Sequence, residues 1–341
     1  GDTSSAASDV YKRQVVAGAS AAPLYELAIN FDIAKKRLIG TAKIEVPAAN
    51  EISISVSGLE ITGAFVQAEN GAEYLLHPYE SRLEIEKQSY ARTVYISYNK
   101  DITKDYTNLI SSQGIALIAN WYPHPSTACI FQLSAQLPNG FSAITESDTF
   151  PLPIKSGITQ STWSRPSQSI SFVAGPYTIR KNKVRDSLYV YSMFFTEDES
   201  LASGYLKAAT GYIKKYEEEI APFPYNHYVI VANRLPTGYG MPSFTLIGQM
   251  VLRLPFIKTS ALGHEIVHSW FGNDVEVDYE LGNWCEGLTS FLADHTYRAE
   301  EGKGAEDRKS SLGKYHSYVH DNSESPFSLK DFRSASHNQP M

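Results

Sequence analysis

Residues 264–268 read His-Glu-Ile-Val-His, two imidazoles four positions apart with a carboxylate between them. Positions four apart on a helix lie one turn above each other on one face, so His264 and His268 can converge on a single tetrahedral ion. Glu265, rotated by about 100° around the same helix, flanks that ion without having to ligate it. A metal held there lowers the pKa of water toward about 7 and polarises a carbonyl, and the neighbouring carboxylate serves as the general base that takes the proton. The chemistry is hydrolysis, with a peptide bond as the natural target. With nine histidines and 23 glutamates in 341 residues, a random order would hold about 0.02 such motifs. The competing reading is a helix that carries two histidines and no metal. The apparatus still needs a third ligand and a group to hold the oxyanion of a tetrahedral intermediate.

Glu286 is the leading third ligand, with 17 residues between it and His268, at the start of a second helical pattern through Leu288, Phe291, Leu292 and His295. It has another available role, as the third helical residue of a capping box that begins at Asn283. Asp274 falls where a different zincin class places its third ligand, but that pattern requires glycine where this chain has Phe271. Glu280 has no pattern behind it. Two imidazoles and one carboxylate, with a position left for water, suit one Zn2+ per chain. The only cysteines, Cys129 and Cys285, indicate neither a disulfide framework nor a cysteine-type zinc site. Cys285, beside Glu286, is the one residue that could close a structural site with four protein ligands.

The elements that must position these residues fall into two textures. From Leu24 to about Lys181 the pattern is strand throughout, with alternation in Ile52–Val56, Leu83–Glu86 and Val94–Tyr98. Asn70-Gly71, Pro138-Asn139-Gly140 and Gly175-Pro176 break it at short intervals, which suggests an antiparallel sandwich or saddle-like sheet. After the charged stretch Lys181–Asp186 comes a strand, Leu188 to Phe195, and then a helix opened by a Thr196/Glu199 capping box. Its apolar stripe is Leu201, Tyr205, Ala208, Tyr212 and Tyr216, and Pro222 and Pro224 stop it. A strand from Tyr228 to Ala232, a glycine-rich loop from Thr237 to Pro242 and an edge strand from Phe244 to Ile247 lead to a helix over Thr259 to Phe271 that carries the motif. The reading is a multi-domain chain: residues 1–14 a non-native leader, 15–183 an all-β N-terminal domain, and 184–341 an α+β domain that carries the motif.

A net charge of −7 with no basic face gives no footing for nucleic acid. No apolar run approaches the roughly 18 residues of a membrane span. Asp9 to Gln14 looks like translated adapter sequence, and the small residues Val15 to Ala22 resemble the end of a signal peptide. They leave export to a bacterial periplasm or envelope and residence in the cytoplasm equally open. Nothing in the pattern fixes an oligomeric state.

Gly263-His264-Glu265-Ile266-Val267-His268-Ser269-Trp270-Phe271-Gly272-Asn273, followed by Asn283-Trp284-Cys285-Glu286-Gly287, resembles the aminopeptidase N-like gluzincins, relatives of leukotriene A4 hydrolase. The resemblance implies an all-β N-terminal domain before a thermolysin-like zinc-peptidase domain over 184–341, incomplete at its C-terminus, with zinc on His264, His268 and Glu286, Glu265 as catalytic base, and a peptide substrate. It also implies that the segment Gly238, Tyr239, Gly240 and Met241 lies along the substrate. There are three departures. The spacing to Glu286 is one residue short of the family's usual 18. Pro242 stands where the family carries the glutamate that holds a substrate's free amine, which removes the charge pairing behind strict aminopeptidase action. No Tyr-x-x-Gly-like segment follows; Tyr315 and Tyr318 lie too near Glu286 to supply the oxyanion tyrosine, which is expected outside this chain. The alternative is a catalytically silent zinc-containing relative that binds peptides, or an inactive fragment. His316 and His320 are read as a solvated helix face.

Overall fold

The computed structural model describes residues 21–103, 107–236, 238–278 and 281–321. The leader 1–14, the small-residue run up to Ser20, Thr237, Glu280 and the tail from Asn322 lie outside the described residues.

The first part is β throughout among the described residues. Eight strands form one sheet in the order Ile154–Lys155, Ile158–Thr162, Ile130–Gln136, Leu24–Asp32, Arg37–Val46, Arg92–Asp101, Glu60–Ala68 and Glu73–Leu75. All neighbours in it are antiparallel except Leu24–Asp32 with Ile130–Gln136, which run parallel. Alternation makes the sheet two-sided: in Arg37–Val46 every second residue from Leu38 is buried, as a period of two requires. A three-stranded and a four-stranded sheet complete this part, and their inward residues share one core with Tyr25, Ile44, Val94, Trp121, Phe131 and Phe172.

The second part is a mixed five-stranded sheet in the order Tyr177–Arg185, Leu188–Phe195, His227–Asn233, Phe244–Gly248 and Gly238–Met241. The three inner strands are parallel and the two outer ones antiparallel to their neighbours. The helix Ala202–Glu219 makes the crossover between the first two parallel strands. Tyr228, Ile230 and Ala232 face that helix and the motif helix, while Val229 and Val231 face the other way, against Ile144 and Val173 of the first part. The first part therefore packs on the far face of the sheet that carries the site.

Five readings from the pattern change. The boundary at 183/184 falls inside the strand Tyr177–Arg185, and the change of sheet comes at Gly175-Pro176. The charged stretch belongs to an exposed outer strand, where lysine and arginine protect an unpaired edge. Thr196 opens a 3-10 turn with no side-chain cap, and Glu199 pairs with Arg180 instead of closing a capping box. The buried face of the long helix centres on Ala202, Leu206, Ala209 and Ile213; of the predicted stripe only Tyr205 and Tyr216 are fully buried. The glycine-rich segment is itself the edge strand, and Phe244–Gly248 lies one position inside it.

One buried acid sits at the junction of the two parts. Burial raises the Glu146 carboxyl to about 7 despite hydrogen bonds donated by Ser171 N and Oγ. The unfolded chain ionises this group near 4.5, so between those values the native state holds the extra proton. Its contribution to stability is present below 4.5, falls as pH rises toward 7, and is flat above. Glu146→Gln keeps an acceptor for Ser171 N and removes the charge. It is expected to raise stability at pH 8 by about 1–3 kcal/mol and to flatten that decline. Denaturant titrations at pH 5 and pH 8 check this, and an unaltered difference between the two pH values rules it out.

Candidate metal centre

The motif helix is α-helical over Ala261–Val267, and turn bonds carry the backbone on to Phe271. Leu262, Ile266 and Val267 are fully buried beneath the sheet, which fixes the rotation of the helix and leaves His264, Glu265 and His268 on its half-buried side. Trp270 anchors the C-terminal end, donating from Nε1 to Ala221 O at 3.0 Å and meeting Tyr216 edge-on. Gly272 ends it at φ +103°, and a Cβ there would lie 2.8 Å from Cys285 Sγ, so both the backbone and the space require glycine.

His264, His268 and Glu286 come together, with one ligand atom from each lying within 4.8 Å of the others. Glu286 Oε2 is 3.4 Å from His264 Nε2 and Oε1 is 3.4 Å from His268 Nε2. The carboxylate faces both imidazoles, and the helix Cys285–Ser290 begins without a side-chain cap. Asn283 Oδ1 instead accepts from Cys285 N at 3.1 Å. Asp274 is drawn away by Arg165, at 3.2 Å.

The far side of each imidazole is also engaged. His264 Nδ1 donates to Asp294 Oδ2 at 2.8 Å, and His268 Nδ1 donates to the Phe271 carbonyl at 3.1 Å. Both rings therefore direct Nε2 at the same point, and a divalent ion such as zinc that displaced the Nε2 protons would find the donor set it takes. Cys285 lies on the other edge of His268, with Sγ 3.4 Å from Nδ1 and donating to Phe271 O at 3.1 Å. It is not turned toward the Nε2 side.

Burial pulls the His264 imidazole down, but its bonds to Asp294 and Glu286 outweigh that and leave it at about 9. Burial likewise opposes, and Cys285 and Glu286 reverse, the shift at His268, which reaches about 10. The two imidazoles hold Glu286 far below the ordinary carboxylate range. Burial pushes Glu265 up, the direction that makes a carboxylate a better base near neutrality.

Asp294 was not legible as a partner of His264. It stands eight residues after Glu286, whereas two α-turns span about 7.2 residues, so an α-helical reading leaves it off the shared face. Phe291–His295 is a π-helical turn, and the one residue it inserts brings Asp294 back beside the first histidine. Asp294→Asn is expected to weaken zinc binding by about 10–100-fold, read by competition with a chelating dye; an unchanged affinity removes Asp294 from the centre.

The edge strand completes the surroundings. A Cβ on Gly240 would lie 2.7 Å from Glu265 Oε2 and 3.4 Å from His268 Cβ, so Gly238, Tyr239, Gly240 and Met241 run directly over the motif. Tyr315 and His316 are exposed on the helix Gly304–Asp321, as is His320, which pairs with Asp321 at 3.1 Å. Among the described residues no helix is long and apolar enough to cross a membrane.

No protein-family profile matches this sequence, and no curated protein matches it. Among solved structures, the crystal structure of an M1 zinc metallopeptidase from Deinococcus radiodurans superposes with a TM-score of 0.66, covering 92% of this chain and 78% of that one, at 14% sequence identity. At that identity the likeness is one of architecture: this chain has the fold seen in that M1 zinc metallopeptidase.

Proposed function

We propose that this chain is a zinc-dependent peptidase, with one Zn2+ held by His264, His268 and Glu286 and with Glu265 as general base. The observation that carries this reading is the pair of Nε2 atoms facing one carboxylate, with a second carboxylate, Glu265, on the same half-buried side of the helix. The fold shared with an M1 zinc metallopeptidase supports it. A zinc ion in this position supplies a Lewis acid that polarises the scissile carbonyl and acidifies the attacking water. Glu265 accepts the water's proton and is oriented to pass it to the departing amine nitrogen. Asp294 and the Phe271 carbonyl hold the two rings by Nδ1, which leaves Nε2 as the atom each ring would offer the ion. The edge strand, bare of side chain at Gly240, admits a substrate backbone beside Glu265.

Metal content by mass spectrometry and cleavage of quenched peptides, one set with free and one with blocked N-termini, test the reading. One zinc per chain together with cleavage of either set supports it. Zinc without cleavage points to the silent peptide-binding relative, and a chain that takes up no zinc sinks both.

A further inference from the structure

We propose that the cavity at the Pro242 end of the edge strand receives substrate residues on the N-terminal side of the scissile bond and favours cationic side chains there, so that cleavage falls inside peptides. This rests on the peptidase reading above and deepens it.

Direction comes from the sheet. Gly238–Met241 is the outer strand, antiparallel to Phe244–Gly248, and a peptide that extends the sheet in the same antiparallel sense runs opposite to it. With the scissile carbonyl beside Glu265, and therefore beside Gly240, the substrate's N-terminal side passes Met241 toward Pro242 and Ser243. Met241 pairs with Phe244, so Pro242 and Ser243 form the turn that closes this hairpin, and at about 3.3 Å per residue a substrate running past Met241 leaves the strand within two or three residues of the scissile bond.

At that end lies a cavity of about 460 Å³, walled by Pro242, Ser243, Asp274 and Glu276 from the second part and by Asp148 and Arg165 from the first. A terminal amine-binding site would be closed by a carboxylate at the strand end; here the strand ends in proline and opens into space. The wall carries a surplus of negative charge. Its one guanidinium, Arg165, is paired with Asp274 at 3.2 Å, while Asp148 and Glu276 also line it; Glu146, raised to about 7, adds full charge only above that pH. His227 does not offset them, because burial lowers its imidazole to about 4. His227 and Ser243 are 4% and 2% exposed, and their Nε2 and Oγ have no hydrogen-bond partner. The wall thus holds polar capacity that the fold does not use.

The test uses the zinc-loaded full chain and N-terminally blocked, alanine-rich decapeptides through which a single Lys or a single Glu is moved, with products read by mass spectrometry. Cleavage two or three residues after Lys, about tenfold faster than after Glu at the same position, is expected. Asp148→Asn combined with Glu276→Gln should shrink that ratio to about twofold, chiefly through KM. Cleavage confined to the first bond of unblocked peptides, or a ratio that the double substitution leaves unmoved, overturns the proposal. If no peptide is cut, anisotropy with labelled Lys and Glu peptides on Glu265→Gln decides the matter separately. Tenfold tighter binding of the Lys peptide, lost in the double substitution, supports the cavity while the peptidase reading falls; equal binding overturns the cavity as well.

Discussion

Glu265→Gln is expected to lower kcat by about 10²–10⁴-fold while zinc content stays at one per chain. Glutamine has nearly the same shape and can still lie against Gly240, where a Cβ would already be too close, so the edge strand and the two imidazoles need not move. What it lacks is basicity. The Glu265 carboxylate is buried enough to have its pKa raised, and removing a charge from such a place does not cost stability. The melting temperature should therefore hold or rise as activity disappears, which separates loss of the base from loss of the fold. Paired measurements of kcat, zinc content and thermal unfolding check this. Activity within tenfold of the parent shows that some other group takes the proton.

Glu286→Gln is expected to act on the metal first and on activity as a consequence. Its carboxylate faces both Nε2 atoms at 3.4 Å, so on the proposed reading the substitution removes a ligand and the charge that balances the ion. The loss of zinc affinity should exceed the about 10–100-fold expected from an outer partner such as Asp294. After dialysis against a weak chelator the variant should retain well under one zinc per chain, and peptide cleavage should fall in proportion, returning in part when zinc is added in excess. Zinc retained at parental affinity means that Glu286 is not a ligand.

Much of the centre was legible because it is local. His264, Glu265 and His268 lie within one turn of one helix, and helical geometry alone places two imidazoles on a face and a carboxylate beside them. The strand Ile52–Ser55 was equally readable, since its period of two survives any neighbour, and Leu188–Phe195 was readable as an apolar run that is buried on both faces. The capping box at Thr196 failed for a non-local reason: Glu199 has a stronger partner in Arg180, across the sheet edge. The Thr237–Pro242 segment reads as a loop because two glycines hide its alternation, and only pairing with Phe244–Gly248 makes it a strand.

By itself the sequence determined the His-Glu-x-x-His motif and its helix, the candidate third ligand and the order of a β-rich part before a mixed one, because each depends on residue type and short-range period. Tertiary structure decided the rest. It turned Glu286 toward the histidines and Cys285 away from their metal-facing side. It brought Asp294 onto His264 through a π turn, made a glycine-rich segment the rim of the site, and opened a cavity where Pro242 ends that rim. Each of these depends on which distant groups compete for a side chain or a backbone edge, and that competition is settled only when the chain packs.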